Sequence, residues 1–257
     1  MVEDVADSRP MPEILQLDMS DLRSVLRSGW SDFLAAPLLG LFFAAVYVVG
    51  GWLIYWAMTT KGQIWWTIVA GAGFPILGPF IACGFYEVSR RIEKGQPLDW
   101  GEVLGVIFRQ KDRQIPTMAA IIVVFFLFWN FLAHMIFALF LGKATLTNIS
   151  TSLDVFLTAQ GLTMLAFGTV VGAIFAAVLF ALTVVSLPLL LDRDVDFITA
   201  MIASWSLVAA NPAIMFVWAA LIAVSLFAGM ATGFLGLFLV LPVFGHASWH
   251  LYRRSLE

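Results

Sequence analysis

The chain has 257 residues, 61% hydrophobic and only 12% charged, with net charge −3 and mean hydropathy +0.94. Soluble domains carry about 25% charged residues, so this chain cannot coat a globule and reads as a polytopic membrane protein. The balance of charge excludes a basic nucleic-acid binder, and the single cysteine, Cys83, excludes an intramolecular disulfide or a thiolate cluster.

In chain order, residues 1–19 read as a polar, disordered cytoplasmic tail: Glu3, Asp4, Asp7, Glu13 and Asp18 oppose a signal-peptide reading. From Ser20, a plausible N-cap, Leu22, Val25, Leu26, Trp30, Phe33 and Leu34 recur at helical steps, with Asp21, Arg23, Arg27, Ser28 and Asp32 opposite. This predicts an interfacial amphipathic helix with Trp30 near headgroup level. Apolar runs then predict spans at Pro37–Met58, Ile64–Val88, Pro116–Leu141 and Leu162–Leu191. Pro212 to Tyr252 is 41 residues without a charge. At helical rise that is roughly 60 Å, twice a bilayer core, so it must fold back. Gly229–Gly233 is the expected turn.

Six spans place twelve of the 14 Lys and Arg residues on one side and leave Lys61 and Lys143 on the other. The positive-inside rule then puts both termini in the cytoplasm. The order repeats. Trp30-Ser31 and Trp205-Ser206 each precede a proline by seven residues, Pro37 and Pro212. The expected fold is all-α, a single six-span domain over 20–257, built as three hairpins each preceded by an interfacial helix. The units are 20–92, 99–191 and 197–254, with a charged cytoplasmic loop at 90–113 and an external Thr/Ser/Asn-rich segment at 143–160. Prolines 37, 116 and 212 suit first helical turns. Pro75, Pro79, Pro188 and Pro242 fall inside apolar runs, where each removes a backbone hydrogen bond and bends its helix.

Few polar groups enter the spans. Asn130 and His134 share a helix face, either as a polar site or as glue between helices, with glue favoured. Glu87 can pair locally with Arg90 and Arg91. His246 and His250 are four apart, a spacing that suits two ligands of one metal, but no third ligand is evident and an interfacial role is favoured. Asp196 is read as the cap of the helix that follows it. No phosphate loop or nucleophile elbow occurs, so no catalytic residue, metal or cofactor is expected.

Gly29-Trp30-x-Asp32-Phe33, Phe74-Pro75-Ile76-Leu77-Gly78-Pro79-Phe80, Gly84-Phe85-Tyr86-Glu87-Val88-Ser89-Arg90-Arg91 and Gly245-His246-Ala247-Ser248-Trp249-His250-Leu251-Tyr252-Arg253 carry a resemblance. They resemble a family of uncharacterised bacterial integral membrane proteins, domain of unknown function 2189, over roughly residues 20–257. The resemblance implies a membrane fold in the bacterial inner membrane and brings no activity. Some members are labelled cytochrome c oxidase subunit I, yet this chain has only three histidines, half of what two haems and a copper require. The expected role is a non-enzymatic accessory or scaffolding component of a membrane complex, respiratory or other, contacting it through residues 90–113. The alternative is a small transporter or channel lined by Asn130, His134 and Glu87. A lipid-acting enzyme using His246 and His250 ranks last.

Overall fold

The computed structural model describes residues 12–61, 65–110, 113–145 and 154–256. Every extended element among them is helical. The helices are α1 (Met19–Ala35), α2 (Pro37–Lys61), α3 (Trp65–Glu93), α4 (Trp100–Gln110), α5 (Ile115–Thr145), α6 (Ala159–Thr183), α7 (Ser186–Asp192), α8 (Phe197–Ala210), α9 (Pro212–Ala231) and α10 (Leu237–Ser255). Four stretches are long and apolar enough to cross a membrane: Pro37–Trp56, Ile115–Gly142, Ala159–Asp192 and Pro212–Ala231. α10 falls short of them. Only Leu237–Gly245 is free of imidazole and charge, about 13 Å of helix.

The boundaries follow local chemistry. Pro37 and Pro212 open α2 and α9, where a missing N–H costs nothing. Asp196 caps α8 by accepting from the Thr199 amide at 2.9 Å and the Thr199 hydroxyl at 2.6 Å. Asp18, rather than Ser20, caps α1. Its carboxylate accepts from the Ser20 and Asp21 amides, and the Asp21 side chain accepts from the Asp18 amide, a reciprocal box. The fold-back between α9 and α10 turns at Thr232–Gly236, where Gly233 and Phe234 both take positive φ, 68° and 69°. The Trp52 indole N–H donates to the Gly233 carbonyl at 2.8 Å and ties this turn to α2.

The internal prolines behave unequally. Helical geometry continues through Pro75 and Pro79 in α3 and through Pro242 in α10. The side chain of Pro75 lies outside the described residues. Near Pro188 the helix is interrupted, at Val184–Val185 between α6 and α7, and the proline lies three residues beyond the break. Residues 146–153 of the external segment lie outside the described residues, as do residues 1–11.

Packing is centred on α10 and α3. α10 touches α1, α2, α3, α7 and α9; α3 touches α2, α4, α5, α7 and α10. α6 packs on α5 and α8. α1 and α10 approach backbone to backbone. A Cβ on Gly29 would stand 2.6 Å from the Ala247 nitrogen and 2.6 Å from the Val243 oxygen. Gly245 and Gly84 serve the same end, since added carbons there would meet the rings of Phe85 and Phe43 at 2.6 Å and 2.4 Å.

α1 corrects the sequence expectation about its faces. Its buried stripe is Asp21, Leu22, Val25, Gly29 and Asp32, while Trp30 and Leu34 point outward. Two carboxylates occupy the covered face because α10 brings Arg254 and His250 to meet them. Residues 12–18 also depart from the disordered tail: Ile14 forms an antiparallel bridge with Leu256, and the Leu15 amide donates to the Ser255 carbonyl at 3.0 Å. Asn211 locks this junction. Its Oδ1 accepts from the Leu17 amide at 2.8 Å and its Nδ2 donates to the Leu15 carbonyl at 3.1 Å. Residues 14–15 therefore lie beside residues 255–256.

Candidate functional site

The buried polar residues gather where the C-terminal ends of α3 and α10 meet α1, α4 and α7. Glu87 is fully buried at 0% exposure. One carboxylate oxygen accepts from Arg91 Nε at 2.7 Å and the other from Arg90 Nε at 2.7 Å. Both cations come from the next turn of α3, which is why the spacing alone predicted the pairing. Arg91 reaches further, to the Pro97 carbonyl at 3.0 Å and Glu102 at 3.2 Å. One guanidinium thus fastens α3 to the loop after it and to α4.

α10 supplies the rest. His250 Nε2 stands 2.7 Å from Asp32, and Arg254, one turn on, pairs with Asp21. Trp249 donates its indole N–H to Glu93 at 2.9 Å, and Arg253 pairs with the same carboxylate at 3.0 Å. Tyr252 donates its hydroxyl to Asp192 at the end of α7, at 2.9 Å. His246 is fully buried, with Nδ1 2.9 Å from Ser89 Oγ and 3.1 Å from the Phe85 carbonyl. A carbonyl only accepts, so Nδ1 carries the proton. Nε2 is a bare acceptor with no partner among the described residues.

His246 and His250 thus face different partners despite their four-residue spacing. Among the described residues no three His, Cys, Asp or Glu side chains stand together as a metal site. Asn130 and His134 do share a face, but both bond back onto their own helix. Asn130 Nδ2 donates to the Phe126 carbonyl at 2.9 Å, and His134 Nδ1 donates to the Asn130 carbonyl at 2.7 Å. Glu87 belongs to the network at the helix ends, away from both. The three residues grouped as a possible channel lining are not brought together. A cleft of about 280 Å³ between α5 and α6 is lined by Ile122, Phe125, Phe126, Trp129, Gly172, Phe175, Ala176 and Leu179, all apolar.

Chemically this is a set of cross-links. Each carboxylate of the network already holds a guanidinium, an imidazole, an indole or a phenol, and none faces the cleft as a free base. Sequence reasoning found the Glu87 pairs and missed the long-range ones. A signal existed. Asp21, Val25, Gly29 and Asp32 form one helical stripe, and His250 and Arg254 form a matching i, i+4 pair.

No curated protein and no solved structure matches the chain. A family match covers α3 from Thr67 through the end of α7 and includes the Phe74–Arg91 motifs, while the motifs around Gly29 and Gly245 lie outside it. Residues 67–192, just under half of the chain, match the family described as predicted integral membrane protein (DUF2189), and over that segment the chain is similar to it.

Proposed function

We propose that the chain is a non-catalytic accessory or scaffolding component of a membrane complex, with six spans and both termini in the cytoplasm. The observation that carries this reading is that the network's carboxylates, apart from Glu87 which pairs within α3, are spent on joining helices to one another. Transport or catalysis needs polar groups converging on a cavity, and the α5–α6 cleft has only apolar walls. The dispersal of Asn130, His134 and Glu87 weighs against a channel lined by them.

Six spans require α3 and α10 to cross beside the four apolar stretches. The polar half of α10 is compatible with this, because His246, Trp249 and Tyr252 are covered by protein rather than lipid. An even number is supported by the bridge between Ile14 and Leu256, which holds the segment before α1 beside the end of α10. The Lys and Arg bias assigns that side to the cytoplasm. The contact surface is α4 with its flanking loops, residues 90–113. α4 buries Val103, Val106 and Gln110 and leaves Trp100, Phe108 and Arg109 outward. Such a face, part aromatic and part cationic, suits a partner subunit at headgroup level.

The test is purification of the full chain from its native membrane in mild detergent, with mass spectrometry of what co-purifies. A second membrane protein held in fixed ratio, and lost on Phe108→Ala with Arg109→Ala, supports the reading. Recovery of this chain alone contradicts it.

A further inference from the structure

We propose that the face of α5 turned away from α6 is a self-association surface, on which a second copy of this chain packs in parallel within the membrane through Asn130 and His134. α5 is the least covered of the four apolar stretches: 6% of its most apolar segment is buried, against 33% for Pro37–Trp56. Ile122, Phe125, Phe126 and Trp129 line the cleft toward α6. At about 100° per residue, Leu127, Phe131, His134 and Ala138 point the other way, and all four are exposed.

Lipid alone is a poor cover for this face. Asn130 lies 15 residues after Ile115 and 12 before Gly142 (130 − 115 and 142 − 130), near the middle of the span. The Asn130 carbonyl accepts from His134 Nδ1, so Nε2 of the neutral ring is a bare acceptor. Asn130 Nδ2 gives one hydrogen to Phe126. Its second hydrogen and Oδ1 have no partner among the described residues. Hydrocarbon supplies neither donors nor acceptors, so polar groups at this depth seek protein partners.

A second copy supplies a partner for the donor and for one acceptor. A two-fold axis along the membrane normal sets identical residues opposite each other at one depth. The free N–H of one Asn130 then faces Oδ1 of the other, with His134 Nε2 as a further acceptor. The set is self-complementary, a donor and two acceptors on each copy, and such side-chain bonds join transmembrane helices. An acyl chain or a purely apolar helix would leave all three unfilled. The surface is on α5, away from α4, so this inference does not depend on the accessory reading.

Cysteine cross-linking of the full chain in its native membrane tests it. Cys83 stays in place because it is fully buried. Single changes Leu127→Cys, Phe131→Cys and Ala138→Cys are compared with Ile122→Cys and Trp129→Cys under mild oxidation. The expected result is a disulfide-linked dimer of this chain at two or more of the first three and at neither of the last two. Combining Ala138→Cys with Asn130→Leu and His134→Leu should cut that dimer at least tenfold with the thermal midpoint unchanged. The proposal is overturned by absence of dimer at 127, 131 and 138, by equal linking at 122 and 129, by insensitivity to the double replacement, or by linking to a different protein instead. A cross-linked dimer with no co-purifying partner would sink the accessory reading and leave this inference standing.

Discussion

The body formed by α1, α2, α3 and α10 and the more apolar hairpin formed by α5 and α6 are packed in opposite ways. In the body, glycines bring backbones into contact, and partnered charges fasten the helix ends. In the hairpin, large side chains such as Val124, Phe131 and Leu139 are exposed at 64%, 64% and 73%. The hairpin is the more apolar region, but hydropathy does not say which of its faces is covered, because lipid and protein interior both accept apolar groups. What distinguishes them is where small residues and matched charges sit. The body is closed by contacts among its own helices, and the hairpin carries the face on which we propose that a second copy packs.

The comparison can be broken by substitution, and the largest effect belongs to Glu87. Glu87→Ala leaves Arg90 and Arg91 without their carboxylate in a covered site, which costs about 3–5 kcal/mol. Thermal unfolding in detergent should show it, and a change no larger than that of a surface residue would mean the network is not structural. Gly29→Ala comes next. Its methyl group would press on the Ala247 backbone, a contact that cannot give way as a side-chain tip can, at about 1–3 kcal/mol. Protease sensitivity of α1 should rise with it.

A smaller effect separates local capping from the network. Asp196→Ala removes the cap of α8, worth about 1 kcal/mol. The Thr199 hydroxyl and amide hold the Asp196 carboxyl below the ordinary value of 3.8. A depressed folded value means the cap contributes fully above the ordinary value and is lost as pH falls through the folded one. Unfolding curves of wild type and variant should differ at pH 7 and converge in strong acid. The smallest effect is expected in the hairpin. Leu139→Ala should stay within about 0.5 kcal/mol, and a loss of core size would show that this face is covered after all.

Much of the fold was legible because it depends on neighbours in sequence. Prolines 37 and 212 mark helix starts through their missing N–H. Asp196 caps a helix three residues away, and Glu87 meets its arginines within one turn. The covered face of α1 was not legible in the same way. Asp21 and Asp32 read as solvent-facing until Arg254 and His250, more than 200 residues on, are known to lie opposite. The latch of Asn211 on Leu15 and Leu17 is equally remote. The break before α7 was expected at Pro188 and lies three residues earlier at Val185, since a proline fits the first turn of a new helix. Asn130 and His134 were read as glue, and the structure leaves Asn130 Oδ1, its second N–H and His134 Nε2 without partners among the described residues.

The most direct test of the accessory role is the mass of the intact assembly released from native membrane, measured by native mass spectrometry. The account predicts this chain together with at least one different membrane protein in fixed ratio, and loss of that protein on replacing Phe108 and Arg109. An assembly containing only copies of this chain would contradict it.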